Sequence, residues 1–132
     1  MHRYAPPGPL GCGGAPIGNL FAPLADEQAR AALDAAWEVG IRHFDTAPLY
    51  GFGLSERRFG AALRHRPRQA FTLSTKVGRL LVPIRDPARE RASFVDGLPF
   101  EVEFDYSADG ARRSIEDSLE RLGLDRIDIA YI

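Results

Sequence analysis

Lys76 is the only lysine in a chain of 132 residues in which lysine and arginine together number 17. It stands in the apolar run Phe71-Thr72-Leu73-Ser74-Thr75-Lys76-Val77, where a solvated surface cation is not expected. Lysine is a compact point charge whose acid–base behaviour moves readily on burial, whereas arginine stays charged and prefers planar, bidentate partners. A sequence that writes arginine elsewhere and lysine here points to chemistry that needs the ammonium itself. Asp45 closes the apolar segment Ile41 to Asp45, and Tyr50 follows five residues later. A phenol and an ammonium ~4 Å apart interact by about 4 kcal/mol at an effective dielectric near 20. Moving a phenol's pKa from about 10 towards about 7 takes a similar free energy. With an acid to keep the lysine charged and oriented, such a tyrosine donates a proton to a carbonyl oxygen or removes one from an alcohol.

These three groups need elements to bring them together, and the pattern supplies alternating strands and helices. Leu10 to Gly13 is a short strand candidate. A helix beginning at Asp26 as its cap places Ala29, Leu33, Ala36 and Trp37 on one face and stops at Gly40. Strand Ile41 to Asp45 follows. Ser55 reads as the cap of a second helix, with Leu54 and Phe59 as a hydrophobic staple and Ala62 and Leu63 on its apolar face. Strand Phe71 to Val77 precedes a third helix within Ser107 to Leu122, on which Ala111, Ile115, Ser118, Leu119 and Leu122 align before Gly123 and the strand Ile127 to Ile132.

Strand–helix alternation of this kind builds βα units around a parallel sheet. Asp45, Tyr50 and Lys76 then lie at or just after C-terminal strand ends, the rim on which barrel active sites are built. Period-two alternation sets Thr72, Ser74 and Lys76 on one face of their strand, and His43 on the face of Asp45. The expected fold class is α/β, a (β/α)8 barrel of which residues 1–132 form roughly the N-terminal half, with four parallel strands and three helices. The sequence stops within an apolar strand, and a closed barrel removes the unpaired sheet edges this would leave, so a truncated barrel is the expectation. Gly78 to Asp105 is far longer than an ordinary βα connection. Its residues Leu80, Leu81, Val82, Phe94, Leu98, Phe100 and Phe104 suit a pocket wall, and residues 78–105 are expected to form a folded substrate lid.

The formal net charge of -1 and the 45% hydrophobic content describe an ordinary soluble composition. No basic surplus for nucleic acid and no membrane-length apolar run is present, and Met1 to Leu20 lacks the apolar centre of a signal peptide, so a cytoplasmic protein is expected. The single cysteine, Cys12, forms no internal disulfide and has no companion at metal-ligand spacing; it reads as a small buried residue, and no metal is expected.

Plainer readings stand beside these. Lys76 also suits a structural barrel lysine paired with Asp45. Tyr50 alone, in a Pro-Leu-Tyr-Gly turn, suits packing. His43 sits one layer below Asp45 and reads as core packing. His65, at a helix end beside Arg64, Arg66 and Arg68, reads as a solvated group, as does the run Arg85 to Arg91. The glycines of Gly11-Cys12-Gly13-Gly14 fail the dinucleotide fingerprint, whose spacing requires glycine at Pro16, and suit a tight turn instead.

The stretch from Gly40 through Asp45-Thr46-Ala47-Pro48-Leu49-Tyr50-Gly51, with Ser55-Glu56 and Ser74-Thr75-Lys76, resembles the aldo-keto reductase superfamily over about Leu10 to Ile132. Lys76-Val77-Gly78-Arg79-Leu80-Leu81, Phe104-Asp105-Tyr106-Ser107 and Arg121 to Asp128 look most like its aldose, fucose and pyridoxal dehydrogenase branch. The resemblance implies a barrel that transfers a hydride between NAD or NADP and a sugar or similar small alcohol or carbonyl, without metal. It implies Tyr50 as general acid/base, Lys76 and Asp45 as its partners, and Gly13, Gly14, Ala15 and Asp45 near the cofactor. A histidine after the fourth strand, the family's fourth catalytic group, is expected beyond Ile132. Two other functions remain open: a Schiff-base aldolase using Lys76, and a non-catalytic half-barrel that associates with itself through open sheet edges.

Overall fold

The computed structural model describes residues 8–86, 91 and 93–132. Strands β1 (Cys12–Gly13), β2 (His43–Asp45) and β3 (Thr72–Lys76) are separated by helices α1 (Asp26–Glu38) and α2 (Leu54–Leu63). Strands β4 (Arg79–Pro83) and β5 (Phe100–Phe104) then precede helix α3 (Ala108–Leu122) and strand β6 (Ile129–Tyr131). One sheet holds β1, β2, β3 and β6 in that order, every pair parallel. Four parallel strands joined through three helices are successive βα units of the (β/α) barrel type, as the sequence predicts. Among the described residues no helix is long and apolar enough to cross a membrane.

Local signals fix the helix ends, in two cases one or two residues away from the expected cap. Ala25, and not Asp26, precedes α1; the Gln28 side chain accepts its N–H at 3.1 Å. Asp26 instead occupies the first turn, where the helix dipole favours a carboxylate. At the other end Gly40 adopts φ +90°, its N–H reaches Trp37 O, and the Ile41 N–H reaches Ala36 O. That is a Schellman stop, which glycine enters without a Cβ penalty. Gly53, and not Ser55, precedes α2, so Leu54 is already helical and the expected staple is out of register. Ser107 caps α3 by accepting the Gly110 N–H at 3.0 Å, and Gly123 ends it in the left-handed conformation.

The outward residues of the sheet form the core with α1 and α2. Phe44 and Leu73 are fully buried together with Leu33, Phe59 and Leu63. The Trp37 ring stacks on Phe44 with centroids 6.4 Å apart, and the Arg42 guanidinium covers the Trp37 ring at 3.8 Å. On α3 the deeply buried positions are Gly110, Ser114, Ser118 and Leu122, whereas Ala111, Ile115 and Leu119 are half-buried. Small residues face inward because α2 and α3 approach closely: a Cβ on Gly60 would collide with the Leu122 carbonyl.

The long connection after β3 is an antiparallel ribbon, with Arg79 opposite Phe104 and Pro83 opposite Phe100. Sequence periodicity did not foresee this pairing. Its far segment folds back: Phe21 N–H donates to Ser93 O, Val95 N–H to Asn19 O and Leu98 N–H to Gly51 O. Arg91, expected in solvent, is half-buried; it donates to the carbonyls of Gly97, Leu98 and Phe100 and lies 4.2 Å from the Phe52 ring centroid. Burial draws its guanidinium below the usual arginine range. Arg85 is exposed beside Glu101 and Glu103, and residues 87–90 of that run lie outside the described residues.

Candidate active site

Parallel register aligns the functional positions before any side chain is considered. Gly13 on β1 pairs with Asp45 on β2, and Asp45 with Ser74 on β3. Lys76 lies two residues beyond Ser74 and points to the same side. Lys76 Nζ donates to Asp45 Oδ2 at 2.8 Å and to Thr46 O at 3.0 Å. Both side chains keep about a third of their surface open, 31% for Lys76 and 33% for Asp45. The ammonium is thus oriented yet reachable.

Tyr50 joins them from the turn that follows β2. Its N–H donates to Ala47 O, and its carbonyl accepts the Ser55 N–H, which ties the turn to α2. Lys76 Nζ lies 5.1 Å from the Tyr50 ring centroid, within cation–π range. The three residues singled out by the sequence therefore meet at one rim. Phe94, from the connection between β4 and β5, rests on the same tyrosine with centroids 5.9 Å apart.

The loop after β1 is anchored against this turn. Ser55 Oγ donates to Gly14 O at 2.8 Å and lies 2.9 Å from Thr46 Oγ1, joining three segments at a fully buried hydroxyl. A Cβ on Gly14 would meet Ser55 Oγ at 2.7 Å and Asp45 O at 2.8 Å, and one on Gly18 would meet the Tyr50 carbonyl carbon at 2.6 Å. At Gly13 the situation is the reverse: among the described residues nothing lies within 4 Å of an added Cβ, and the residue is exposed. Ala15 is half-buried at the head of the 3-10 turn Pro16–Gly18.

Several residues that hold the site were not legible as such. Ser74 Oγ donates to Asp45 Oδ1 at 2.6 Å, and His43 Nε2 lies 3.2 Å from the same hydroxyl, so His43 is bonded and not merely packed. On the opposite face of β3, Thr75 Oγ1 donates to Glu56 Oε1 at 2.9 Å; Glu56 is fully buried. A glutamate in the first turn of an amphipathic helix ordinarily reads as solvated. The only hint was a threonine among apolar residues on the outward face of β3.

The other expectations divide. Cys12 is half-buried against the core, and burial pushes its thiol up. His65 is exposed. Apolar residues of the connection line more than one cavity. Leu81 and Phe100 line a cavity of about 370 Å³ with Arg57, Asp117, Glu120 and Arg121. Leu98 lines a second, of about 510 Å³, between α1 and α2, and Phe104 is exposed. Neither cavity includes Tyr50 or Lys76. Among the described residues no group of three or more His, Cys, Asp or Glu is placed to hold a metal ion.

Comparison with known proteins identifies the family. The model of the aldo/keto reductase family matches residues 9–132. Over 129 residues the chain is 50% identical to a D-threo-aldose 1-dehydrogenase from a Pseudomonas species, covering 93% of this chain and 39% of that protein. It is 45% identical over 132 residues to a pyridoxal 4-dehydrogenase from Microbacterium luteolum, covering 93% and 38%. Among solved structures, an aldo-keto reductase from Bacillus halodurans in its holo form superposes with a TM-score of 0.68 at 33% identity, over 92% of this chain and 34% of that one. A glycerol dehydrogenase from Gluconobacter oxydans gives 0.67 at 31% identity, over 91% and 33%. The chain spans less than two-fifths of the length of each of these relatives.

Proposed function

The chain belongs to the aldo/keto reductase family, and from that premise we propose that it carries the acid/base centre of an NAD(P)-dependent oxidoreductase acting on a sugar or a similar small polar alcohol or carbonyl. The observation that carries this reading is the Lys76–Asp45 ion pair, at 2.8 Å, held against the ring of Tyr50. In the oxidative direction Tyr50 takes the hydroxyl proton of the substrate as the adjacent C–H bond gives up its hydride. In the reductive direction Tyr50 returns the proton to the carbonyl oxygen. Lys76 sets its positive charge against the Tyr50 ring, where it favours negative charge that develops on the phenol during proton transfer, and Asp45 aims the ammonium.

The open space in front of Gly13, paired with Asp45, suits a bound ligand: the absent side chain leaves room at the rim. Gly13, Gly14, Ala15 and Asp45 are the residues of this chain that would border a nicotinamide dinucleotide. When bound, that cofactor, NAD or NADP, supplies or accepts the hydride. Residues 78–105 act as the substrate lid in this reading, supported by Phe94 resting on Tyr50 and by the backbone bonds from Val95 and Leu98 to Asn19 and Gly51. Dehydrogenation of aldoses and pyridoxal by relatives supports the substrate class.

The test is NAD(P)H formation with fucose, galactose, arabinose and pyridoxal, by this chain and by a longer protein containing it, before and after Tyr50→Phe. Turnover lowered by about 10²–10⁴-fold in Tyr50→Phe is expected. Turnover unchanged by the substitution, or its absence from both proteins, overturns the reading.

A further inference from the structure

Asp45 is gripped at both of its oxygens, and the second grip comes from deeper in the sheet. Oδ2 accepts from Lys76, and Oδ1 lies 2.6 Å from Ser74 Oγ. A serine hydroxyl has one proton to give. Its acceptors in reach are Asp45 Oδ1 at 2.6 Å, Phe44 O at 3.4 Å and, when it carries no proton, His43 Nε2 at 3.2 Å; the carboxylate is the nearest and the strongest acceptor, so the proton goes there. The contact of Ser74 Oγ with His43 Nε2 at 3.2 Å must then run the other way, which requires a proton on Nε2. Ser74 is fully buried, and its polar partners are therefore specified by the fold.

We propose that Ser74 is a positioning residue for Asp45, backed by His43 in its Nε2–H form, so that a donor chain from His43 through Ser74 to Asp45 fixes the carboxylate that orients Lys76. A carboxylate tied at one oxygen alone swings about its side-chain torsions and takes Oδ2 away from the ammonium. Tied at both, it presents Oδ2 to Lys76 in one geometry, the kind of supporting contact that keeps a functional group in place. The inference rests on the reading of Asp45, Lys76 and Tyr50 as the acid/base centre, and its measurement uses no turnover.

Two measurements on the 132-residue chain test it. Long-range proton–nitrogen NMR, with the His43 ring assigned by its loss in His43→Gln, reads the tautomer directly; the Nε2–H form is expected. Because Lys76 is the only lysine, its acetylation at fixed pH, followed by peptide mass spectrometry, reports how firmly Asp45 holds it. Ser74→Ala is expected to raise that rate severalfold, and Ser74→Thr, which keeps the hydroxyl, to leave it at the wild-type rate. An Nδ1–H tautomer in the unsubstituted chain, equal rates in Ser74→Ala and wild type, or a folded Ser74→Thr that reacts like Ser74→Ala overturns the proposal. Failure here leaves Tyr50 and Lys76 as an acid/base pair, while absence of hydride transfer leaves this result standing.

Discussion

Arg121 Nε meets Glu56 Oε2 at 2.5 Å behind the strand that carries Lys76, joining α3 to α2 across a site from which Glu56 has no exposure to solvent. Thr75 supplies Glu56 with its other bond, so one buried carboxylate links both helices to β3. Breaking a buried pair by removing one partner leaves an uncompensated charge, which costs about 3–5 kcal/mol. Arg121→Ala is expected to lower unfolding stability by that order in urea titrations. Glu56→Gln, which removes the charge but keeps the shape, is expected to cost less. A stability unchanged by Arg121→Ala would show that the pair is not desolvated.

The acid/base assignment predicts a graded response in the turnover assay. Tyr50→Phe removes the proton-transferring group, an effect of about 10²–10⁴-fold in kcat. Lys76→Arg is expected to fail as a rescue of function, because a planar guanidinium does not reproduce a compact ammonium between Asp45 Oδ2 and Thr46 O. Near-wild-type kcat in Lys76→Arg would mean that positive charge alone suffices.

Gly13 and Gly14 are adjacent yet should answer differently to alanine. At Gly14 the new methyl group would press on Ser55 Oγ, Asp45 O and the Phe59 ring, all under 3.0 Å. Overpacking of this kind costs about 1–3 kcal/mol, and a lower melting temperature is expected. At Gly13 the methyl group enters open space, so the melting temperature should hold while KM for the dinucleotide rises. Unchanged KM in Gly13→Ala argues against this loop as a cofactor border.

Asp128 links stability to pH. Partial burial by itself would raise its pKa, but the Arg68 guanidinium, 2.6 Å from Oδ2, and the Leu73 N–H outweigh that and hold the carboxyl below the usual carboxylate range. A folded pKa below the unfolded one means the stabilisation is present above the unfolded value, about 4, and is lost as pH falls through the folded value. Melting temperatures at pH 6 and pH 3 should therefore differ less in Asp128→Asn than in the wild type. An equal pH difference in both proteins removes Asp128 from the acid-sensitive set.

Much of the site was legible because its signals are local. Asp45 and Lys76 each sit at the end of a strand, and period two sends His43, Asp45, Ser74 and Lys76 to one face whatever surrounds them. The α2 cap shows the limit of such reasoning. Ser55 has the composition of a cap, yet its hydroxyl is drawn to Gly14 O and Thr46 by folding, and Gly53 takes its place. Arg91 lies within a basic run that looks solvated, but three carbonyls of the returning segment capture it.

By itself the sequence determined the order of the four parallel strands and three helices and the shared face of the acid and the amine, since each follows from spacing along a few residues; the antiparallel ribbon of β4 and β5 lay outside it. Tertiary structure alone decided which groups satisfy the buried charges and hydroxyls. Glu56 and Arg121 are 65 residues apart, and nothing in the neighbourhood of either names the other. A buried polar group must find a partner, and which one it finds depends on how distant segments pack.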